Sequence, residues 1–172
     1  MATVNLSDYK PLHITDADEF NIGIVFSEWN GFVTHNLRDG AIETLKKEGV
    51  QEKNIHVFPV PGAFELNYAA MQLCKEKKYD AVIAIGCVIR GETSHFDFVC
   101  SAVAQGIKDC NILTNVPTIF CLLTDDHKEQ SIARSGGKLG NKGIEAAVTA
   151  LQMIDFKRKL NSPKSAIGFG KA

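Results

Sequence analysis

The sequence predicts a three-layer α/β/α sandwich with a four-stranded parallel sheet flanked by helices. Apolar, strand-like segments alternate four times with segments whose apolar residues recur at helical spacing, and one more helix follows. Such alternation is typical of parallel sheets, because each parallel strand needs a crossover helix before the next strand. The third strand-like segment, Ala81–Ile89, is almost entirely apolar, which indicates a strand covered on both faces.

Each element follows from its own pattern of apolar residues. Strands are predicted at 20–26, Ile55–Val60, Ala81–Ile89 and 117–124. Helices are predicted where apolar residues recur every three or four positions: Leu37, Ala41 and Leu45; Leu66, Ala69, Ala70 and Leu73; Val99, Ala102, Val103, Gly106 and Ile107; and Ile144, Ala147, Val148, Leu151 and Ile154. A short helix that ends at Ser135-Gly136-Gly137 precedes the last of these.

A single domain is predicted over residues 1–172, with a core at about 20–155 and polar arms at both ends. The arms carry opposite charges: Asp8, Asp16, Asp18 and Glu19 in the first, and Lys157, Arg158, Lys159, Lys164 and Lys171 in the second. Two interpretations of the arms stay open, contact with neighbouring subunits and fraying.

Composition excludes several classes of protein. The hydrophobic fraction of 45% and the charged fraction of 23% are those of a globular domain. The net charge of -1 gives no global basic field for nucleic acid, and no apolar run reaches the roughly 18 residues of a membrane span. No secretory signal is visible, and five cysteines without a CxxC pair favour buried thiols in a reducing compartment. We therefore expect a cytoplasmic protein.

Ligands of open parallel sheets bind outside the carboxyl ends of the strands, so the segments that follow the strands are the candidate site. Trp29 follows the first strand and could stack on a heteroaromatic ring, or pack as a core aromatic. The turn that ends in Ala63 lets a ligand approach the backbone. Glu65 either binds that ligand or is an acid favoured at a helix start.

The segment Gly91-Glu92-Thr93-Ser94 precedes a predicted helix, whose free N–H groups could bind phosphate. The alternative is capping, with Ser94 and Asp97 as a near capping box. His95 in the first turn suits proton transfer, although a surface histidine fits the pattern as well.

Arg134 and Lys142 flank a glycine-rich segment and could pair with a phosphate, or serve as helix-end cations. This segment is not a Walker A loop. The sequence also lacks GxGxxG, GxSxG and HExxH, so nucleotide cofactor, serine hydrolase and metal sites are not predicted.

Four segments resemble the 6,7-dimethyl-8-ribityllumazine synthase family: VPGAFELNYAA at 60–70, IGCVIRGETSHFDFVC at 85–100, PTIFCLLT at 117–124 and GGKLGNKGIEAA at 136–147. The resemblance implies a flavodoxin-like fold and a riboflavin biosynthesis transferase. Its substrates would be 5-amino-6-(D-ribitylamino)uracil and 3,4-dihydroxy-2-butanone 4-phosphate, with no cofactor and no metal. It also implies a homopentamer with sites between subunits. It leaves open an icosahedral shell of pentamers and a partner enzyme such as riboflavin synthase.

The same resemblance implies a role for each candidate residue. The ribitylaminouracil would contact Trp29, Ala63, Phe64, Glu65, Cys87, Val88 and Ile89, and Phe120 from a neighbouring subunit. The butanone phosphate would contact Glu92, Thr93 and Arg134. His95 would be the proton donor, and Lys142 would lie near the pocket.

Three alternatives stay open to different degrees. A non-catalytic flavin- or lumazine-binding protein would keep Trp29 but lose His95 or Arg134, and both are present. A flavodoxin-like electron carrier would need a phosphate loop rich in Ser, Thr and Gly after the first strand, and SEWNGFVT matches it poorly. A cage-forming protein on the same scaffold is not excluded by any residue.

Overall fold

Four parallel strands in the order β2-β1-β3-β4 form the centre of the molecule in a computed structural model that describes residues 5–161. The strands are β1 (Ile22–Ser27), β2 (Ile55–Val60), β3 (Ala81–Ile89) and β4 (Thr118–Asp125). The helices are α1 (Gly31–Lys47), α2 (Leu66–Lys75), α3 (His95–Thr114), α4 (Lys128–Arg134) and α5 (Lys142–Asn161). The predicted three-layer α/β/α architecture and its parallel sheet are confirmed.

The two inner strands are buried on both faces, as their apolar composition requires. Successive side chains of a strand point to opposite faces, so Ile24 of β1 packs in the cluster formed with α1 and α5. Its neighbour Val25 packs in the cluster formed with α2 and α3. The apolar stripes of the helices, such as Leu37 of α1 and Leu66 of α2, complete these two cores.

The register of the sheet brings the carboxyl ends of the four strands to one edge. Ser27 at the end of β1 pairs with Val60 at the end of β2. Ile89 at the end of β3 pairs with Asp125 at the end of β4. The segments that follow these strands therefore start side by side, which is the condition for a shared site.

The glycine-rich segment differs from the prediction. Two short antiparallel strands, β5 (Ser135–Gly137) and β6 (Gly140–Asn141), form a hairpin between α4 and α5. Gly136 and Gly140 have φ angles of 117° and 78°, a region of positive φ that residues with a Cβ rarely adopt. The glycines thus serve a hairpin in addition to ending α4.

The last helix extends beyond the predicted core boundary at 155. Ile154 is buried, Lys157 Nζ donates to the carbonyl of Asn115, and Arg158 pairs with Asp16 at 3.1 Å. These contacts hold the last turns of α5 against the domain. The predicted arm residues Lys164 and Lys171 lie outside the described residues.

Among the residues from 5 to 161, no helix is both long enough and apolar enough to span a membrane. All five cysteines are free thiols, and Cys100 is the one that is not buried.

Candidate active site

Hydrogen bonds join the ends of all four strands of the main sheet. The backbone N–H of Trp29, after β1, donates to the carbonyl of Pro61, after β2, at 3.0 Å. Asn30 Nδ2 donates to the carbonyl of Cys87 in β3 at 2.9 Å. The backbone N–H of Arg90, after β3, donates to the carbonyl of Asp125 in β4 at 2.9 Å. The four segments therefore form one continuous surface.

Trp29 and Phe64 present aromatic rings at this surface. Trp29 is 67% exposed, so it is not the core aromatic that its type alone would favour. Phe64, in the turn before α2, is also exposed, whereas its neighbour Ala63 is buried. An exposed indole beside a small-residue turn can stack on a flat heteroaromatic ligand.

Glu65 lies directly before α2, at the position that caps the helix. Its Oε2 accepts a hydrogen bond from the backbone N–H of Gly62 at 3.0 Å. The carboxylate is therefore held across the turn, next to the backbone of Gly62. A carboxylate in this position can accept hydrogen bonds from the hydroxyl groups of a ligand.

The end of β3 supplies Cys87, Val88 and Ile89, which lie between the other strand ends. Cys87 is buried, and Val88 and Ile89 are half-buried. Burial raises the pKa of the Cys87 thiol to about 11, so the sulfur stays protonated at neutral pH. Its thiol contacts Ser131 Oγ at 3.5 Å. Cys87 is thus a wall of the site rather than a nucleophile.

The loop from β3 to α3 carries Glu92 and Thr93, and His95 is the first residue of α3; all three are exposed. The backbone N–H of His95 donates to Thr93 Oγ1 at 3.4 Å, which leaves the Thr93 hydroxyl proton available to a ligand. The predicted near capping box of Ser94 and Asp97 is wrong: the Ser94 side chain makes no capping bond. The Asp97 carboxylate pairs with Arg90 instead.

Arg134 ends α4, close to the end of β4. Its Nη1 donates to the carbonyl of Gln130 at 2.9 Å and lies 3.8 Å from Asp125 Oδ1. Asp125 is buried and accepts a hydrogen bond from Ser131 Oγ at 2.8 Å. Neither Asp125 nor Ser131 is among the predicted site residues, although an acid directly after a predicted apolar strand is a usable signal.

Phe120 and Lys142 are not brought to the same edge within one chain. Phe120 lies five residues before the end of β4, 44% exposed on an outer strand of the sheet. Lys142 starts α5, and its Nζ pairs with Glu145 at 2.7 Å. Any contribution of Phe120 to a site of this kind requires a second chain.

Two cavities of about 250 and 180 Å³ lie away from these residues, at the amino-terminal edge of the sheet. Asp80 lines the first and Pro117 the second, and neither cavity is lined by a candidate site residue. In the part of the chain that is described, no group of three or more His, Cys, Asp or Glu residues is arranged to hold a metal ion.

The fold places this chain in the class of α/β proteins with an open parallel sheet, whose ligands bind at the carboxyl ends of the strands. The sequence model of 6,7-dimethyl-8-ribityllumazine synthase matches residues 19–158. Curated proteins of that name are similar to this chain. The Parabacteroides distasonis protein is 53% identical over 158 residues, 91% of this chain and 99% of the relative. The Flavobacterium psychrophilum protein is 52% identical over 160 residues, which cover 93% of this chain and 85% of the relative. The Phocaeicola vulgatus protein is 51% identical over 162 residues, which cover 93% of this chain and 96% of the relative.

The chain belongs to the 6,7-dimethyl-8-ribityllumazine synthase family, whose members are transferases of riboflavin biosynthesis.

Proposed function

We propose that this chain condenses 5-amino-6-(D-ribitylamino)uracil with 3,4-dihydroxy-2-butanone 4-phosphate, giving 6,7-dimethyl-8-ribityllumazine, phosphate and water. Family membership supports the reaction. The observation in the structure that supports it is the order of the parallel sheet, which starts the segments that carry the aromatic, hydroxyl, imidazole and arginine side chains from one edge. The flat ring of the uracil substrate needs an aromatic surface, and the phosphate of the other substrate needs hydrogen-bond donors and a cation next to that surface.

The uracil half of the site lies at β1, β2 and β3. Trp29 would stack on the pyrimidine ring, which its exposure supports. Glu65 would accept hydrogen bonds from the ribityl hydroxyls, supported by its fixed position across the turn. The pocket would be lined, largely through backbone groups, by the residues that follow β2 and end β3: Ala63, Phe64, Cys87, Val88 and Ile89.

The phosphate half lies at the start of α3 and the end of α4. Free backbone N–H groups at the start of a helix favour an anion, and Thr93 adds a hydroxyl donor. Arg134 would supply the cation, held near this edge by its contacts with Gln130 and Asp125. Glu92 would contribute its backbone N–H, because its carboxylate would repel the phosphate. Lys142 would lie farther out.

The reaction consists mainly of positioning two reactants. The 5-amino group of the uracil attacks the ketone of the butanone and forms an imine with loss of water. Phosphate is eliminated, the product tautomerises, and the ribitylamino nitrogen closes the ring with loss of a second water. His95 would donate and accept the protons of these steps, supported by its exposure in the first turn of α3. Orientation of the two substrates supplies the rest of the acceleration.

We infer that the active unit is a homopentamer with sites between adjacent chains, in the cytoplasm. Phe120 is exposed on one outer strand, and large apolar side chains are exposed on α2 and α3. These include Tyr68, Phe98, Ile112 and Leu113. Such surfaces are typical of covered interfaces. Free thiols in all five cysteines support a reducing compartment.

Sedimentation tests the assembly. Five chains of 18.8 kDa give a particle of about 94 kDa, and a shell of sixty chains gives about 1.1 MDa. A shell peak would then be searched for enclosed riboflavin synthase by mass spectrometry. A monomer at micromolar concentration would contradict a site shared between chains, and Phe120→Asp should shift the assembly toward smaller particles.

The activity is tested by mixing both substrates with the purified protein and following lumazine absorbance and fluorescence. A blank without protein gives the rate of the unaided condensation. We expect a rate far above the blank. A folded protein whose rate equals the blank would contradict the proposed function.

A further inference from the structure

Asn30 lies between Trp29 and the first residue of α1, and the proposed roles of the site residues do not use it. Its backbone begins the helix, because its carbonyl accepts from the N–H groups of Val33 at 2.8 Å and Thr34 at 3.1 Å. An asparagine in this position usually caps the helix with its side-chain oxygen as well. The Asn30 side chain makes no such capping bond, so its amide serves another contact.

The amide of Asn30 is bound to β3. Its Nδ2 donates to the carbonyl of Cys87 at 2.9 Å. β1 pairs with β3 only as far as Phe26, which lies opposite Ile85, whereas β3 continues to Ile89. Cys87 therefore lies beyond the last paired position. The Asn30 amide supplies a partner for a backbone carbonyl that β1 no longer reaches, and it extends the contact between the two strands.

The backbone of Asn30 has a conformation that few residue types adopt. Its φ and ψ angles are 59° and 40°, in the left-handed region, where glycine and asparagine are the residues found most readily. Position 30 therefore has two requirements, a left-handed backbone and a side-chain donor. Glycine meets only the first of them. Asparagine meets both.

The Trp29 segment, residues 28–30, is held on its other side by β2. The backbone N–H of Trp29 donates to the carbonyl of Pro61 at 3.0 Å. This bond fixes the segment relative to β2 and does not reach β3. Among the hydrogen bonds between residues 5 and 161, the bond from the Asn30 side chain is the one that ties the Trp29 segment to β3.

The segment and the end of β3 both carry residues that are proposed to contact the uracil substrate. Trp29 would stack on the ring, and Val88 and Ile89 of β3 are half-buried walls of the same half of the site. Because the indole is 67% exposed, few packing contacts hold it, and its position depends on the backbone that carries it. A shift of this backbone away from β3 would widen the space in which the ring binds.

We propose that Asn30 is a positioning residue that holds the Trp29 segment against β3, and thereby sets the width of the uracil half of the site. This inference rests on the proposed function. A side-chain bond suits the role because β1 ends before β3, so no pair of backbone groups in the sheet spans this gap.

The test compares Asn30→Gly with the unchanged protein. Glycine keeps the left-handed backbone and removes only the side-chain bond. We expect KM for the ribitylaminouracil to rise about tenfold, while KM for the butanone phosphate stays within about twofold. Asn30→Asp should give a similar rise, because an ionised carboxylate of the same shape cannot donate to the carbonyl. Should Asn30→Gly fail to fold, Asn30→Asp gives the same comparison.

Asn36→Ala is the matched control, because it removes a bond of the same kind from the same helix. Asn36 is exposed, and its Nδ2 donates to the carbonyl of Phe32 at 3.1 Å, within α1. This variant should change neither KM. Equal losses for both substrates in Asn30→Gly, or no loss for either, would overturn the inference.

The fluorescence anisotropy of Trp29 separates this inference from the proposed function, since it needs no substrate. Trp29 is the only tryptophan of the chain, so its emission reports on this segment alone. We expect the fast, nanosecond part of the anisotropy decay to grow about twofold in Asn30→Gly and to stay unchanged in Asn36→Ala. The same decay in all three proteins would overturn the inference. A missing lumazine rate in the unchanged protein, by contrast, contradicts the proposed function alone.

Discussion

The indole ring of Trp29 lies directly against the backbone of Gly62, in the turn between β2 and α2. A Cβ at Gly62 would come within 2.6 Å of Trp29 Cε3 and within 2.9 Å of Glu65 Oε2. Both distances are shorter than van der Waals contact allows. Trp29 and Glu65, which the proposal assigns to the uracil substrate, can therefore occupy their positions only because residue 62 is a glycine.

Gly62→Ala should move Trp29 and Glu65 without removing either of them. We expect affinity for the ribitylaminouracil to fall about tenfold, because a methyl group forces the stacking ring and the carboxylate apart. Quenching of fluorescence from Trp29, the only tryptophan of the chain, measures this affinity. Gly91→Ala is the control, since a Cβ there meets nothing within 4 Å. Equal affinities in the two variants would contradict the prediction.

His95→Ala should slow turnover and leave a measurable rate. Positioned proton transfer typically contributes 10²- to 10⁴-fold, and we expect a loss of about 10²-fold in kcat because orientation of the substrates is retained. The measurement is lumazine formation at saturating concentrations of both substrates. His127→Ala, at the start of α4, serves as control and should keep nearly the full rate. An unchanged rate in His95→Ala would exclude the assigned role.

Arg134→Ala should weaken the butanone phosphate selectively. The loss of a charged hydrogen-bond donor to phosphate predicts a rise of about 10²-fold in KM for this substrate, with uracil binding nearly unchanged. Lys128→Ala removes a cation from the first residue of the same helix, where its ammonium lies over the Phe32 ring, and should have little effect. Equal losses for the two substrates would count against a phosphate contact of Arg134.

The sequence predicts the order and type of the main elements because each has a strong local pattern. The ranges Ile55–Val60 and Ala81–Ile89 are confirmed as strands. The first strand begins later than predicted, at Ile22, because the backbone N–H of Phe20 donates to the carbonyl of Ala17 and closes a 3-10 turn before the strand. The hairpin at 135–141 was missed because glycines that end a helix and glycines that turn a hairpin look alike in a sequence.

The edge of the sheet at which the candidate residues lie was predictable, whereas many of the contacts that hold those residues in place were not. Parallel strands bring the residues after them to one edge, so Trp29 and Thr93 could be placed by position alone. The partners of Arg90 could not be predicted in this way, because Asp126 is 36 residues away along the chain and Asp97 fitted a local capping pattern equally well. Contacts of this kind depend on the register of β3 and β4, which no short pattern specifies.

Tyr9 links the N-terminal segment to the end of α1, and its titration gives a prediction on stability. Its hydroxyl donates to Glu48 Oε1 at 3.0 Å, while Glu48 Oε2 accepts from the backbone N–H of Leu12. Burial, and then the hydrogen bond with Glu48, raise the pKa of Tyr9 to about 12. The hydroxyl must stay protonated to donate this bond, so the stabilisation is present below pH 10 and is lost as the pH rises toward 12.

Tyr9→Phe should therefore lower the free energy of unfolding by about 1 kcal/mol at pH 8, the usual net contribution of one hydrogen bond. The difference from the unchanged protein should shrink at pH 11, because the unfolded state then releases the Tyr9 proton more readily than the folded state does. Urea unfolding at one fixed protein concentration measures both differences. Tyr68→Phe, at an exposed tyrosine of α2, provides the comparison. If the two proteins differ in free energy of unfolding by the same amount at pH 8 and pH 11, the hydrogen bond that the Tyr9 hydroxyl donates is not the source of the difference.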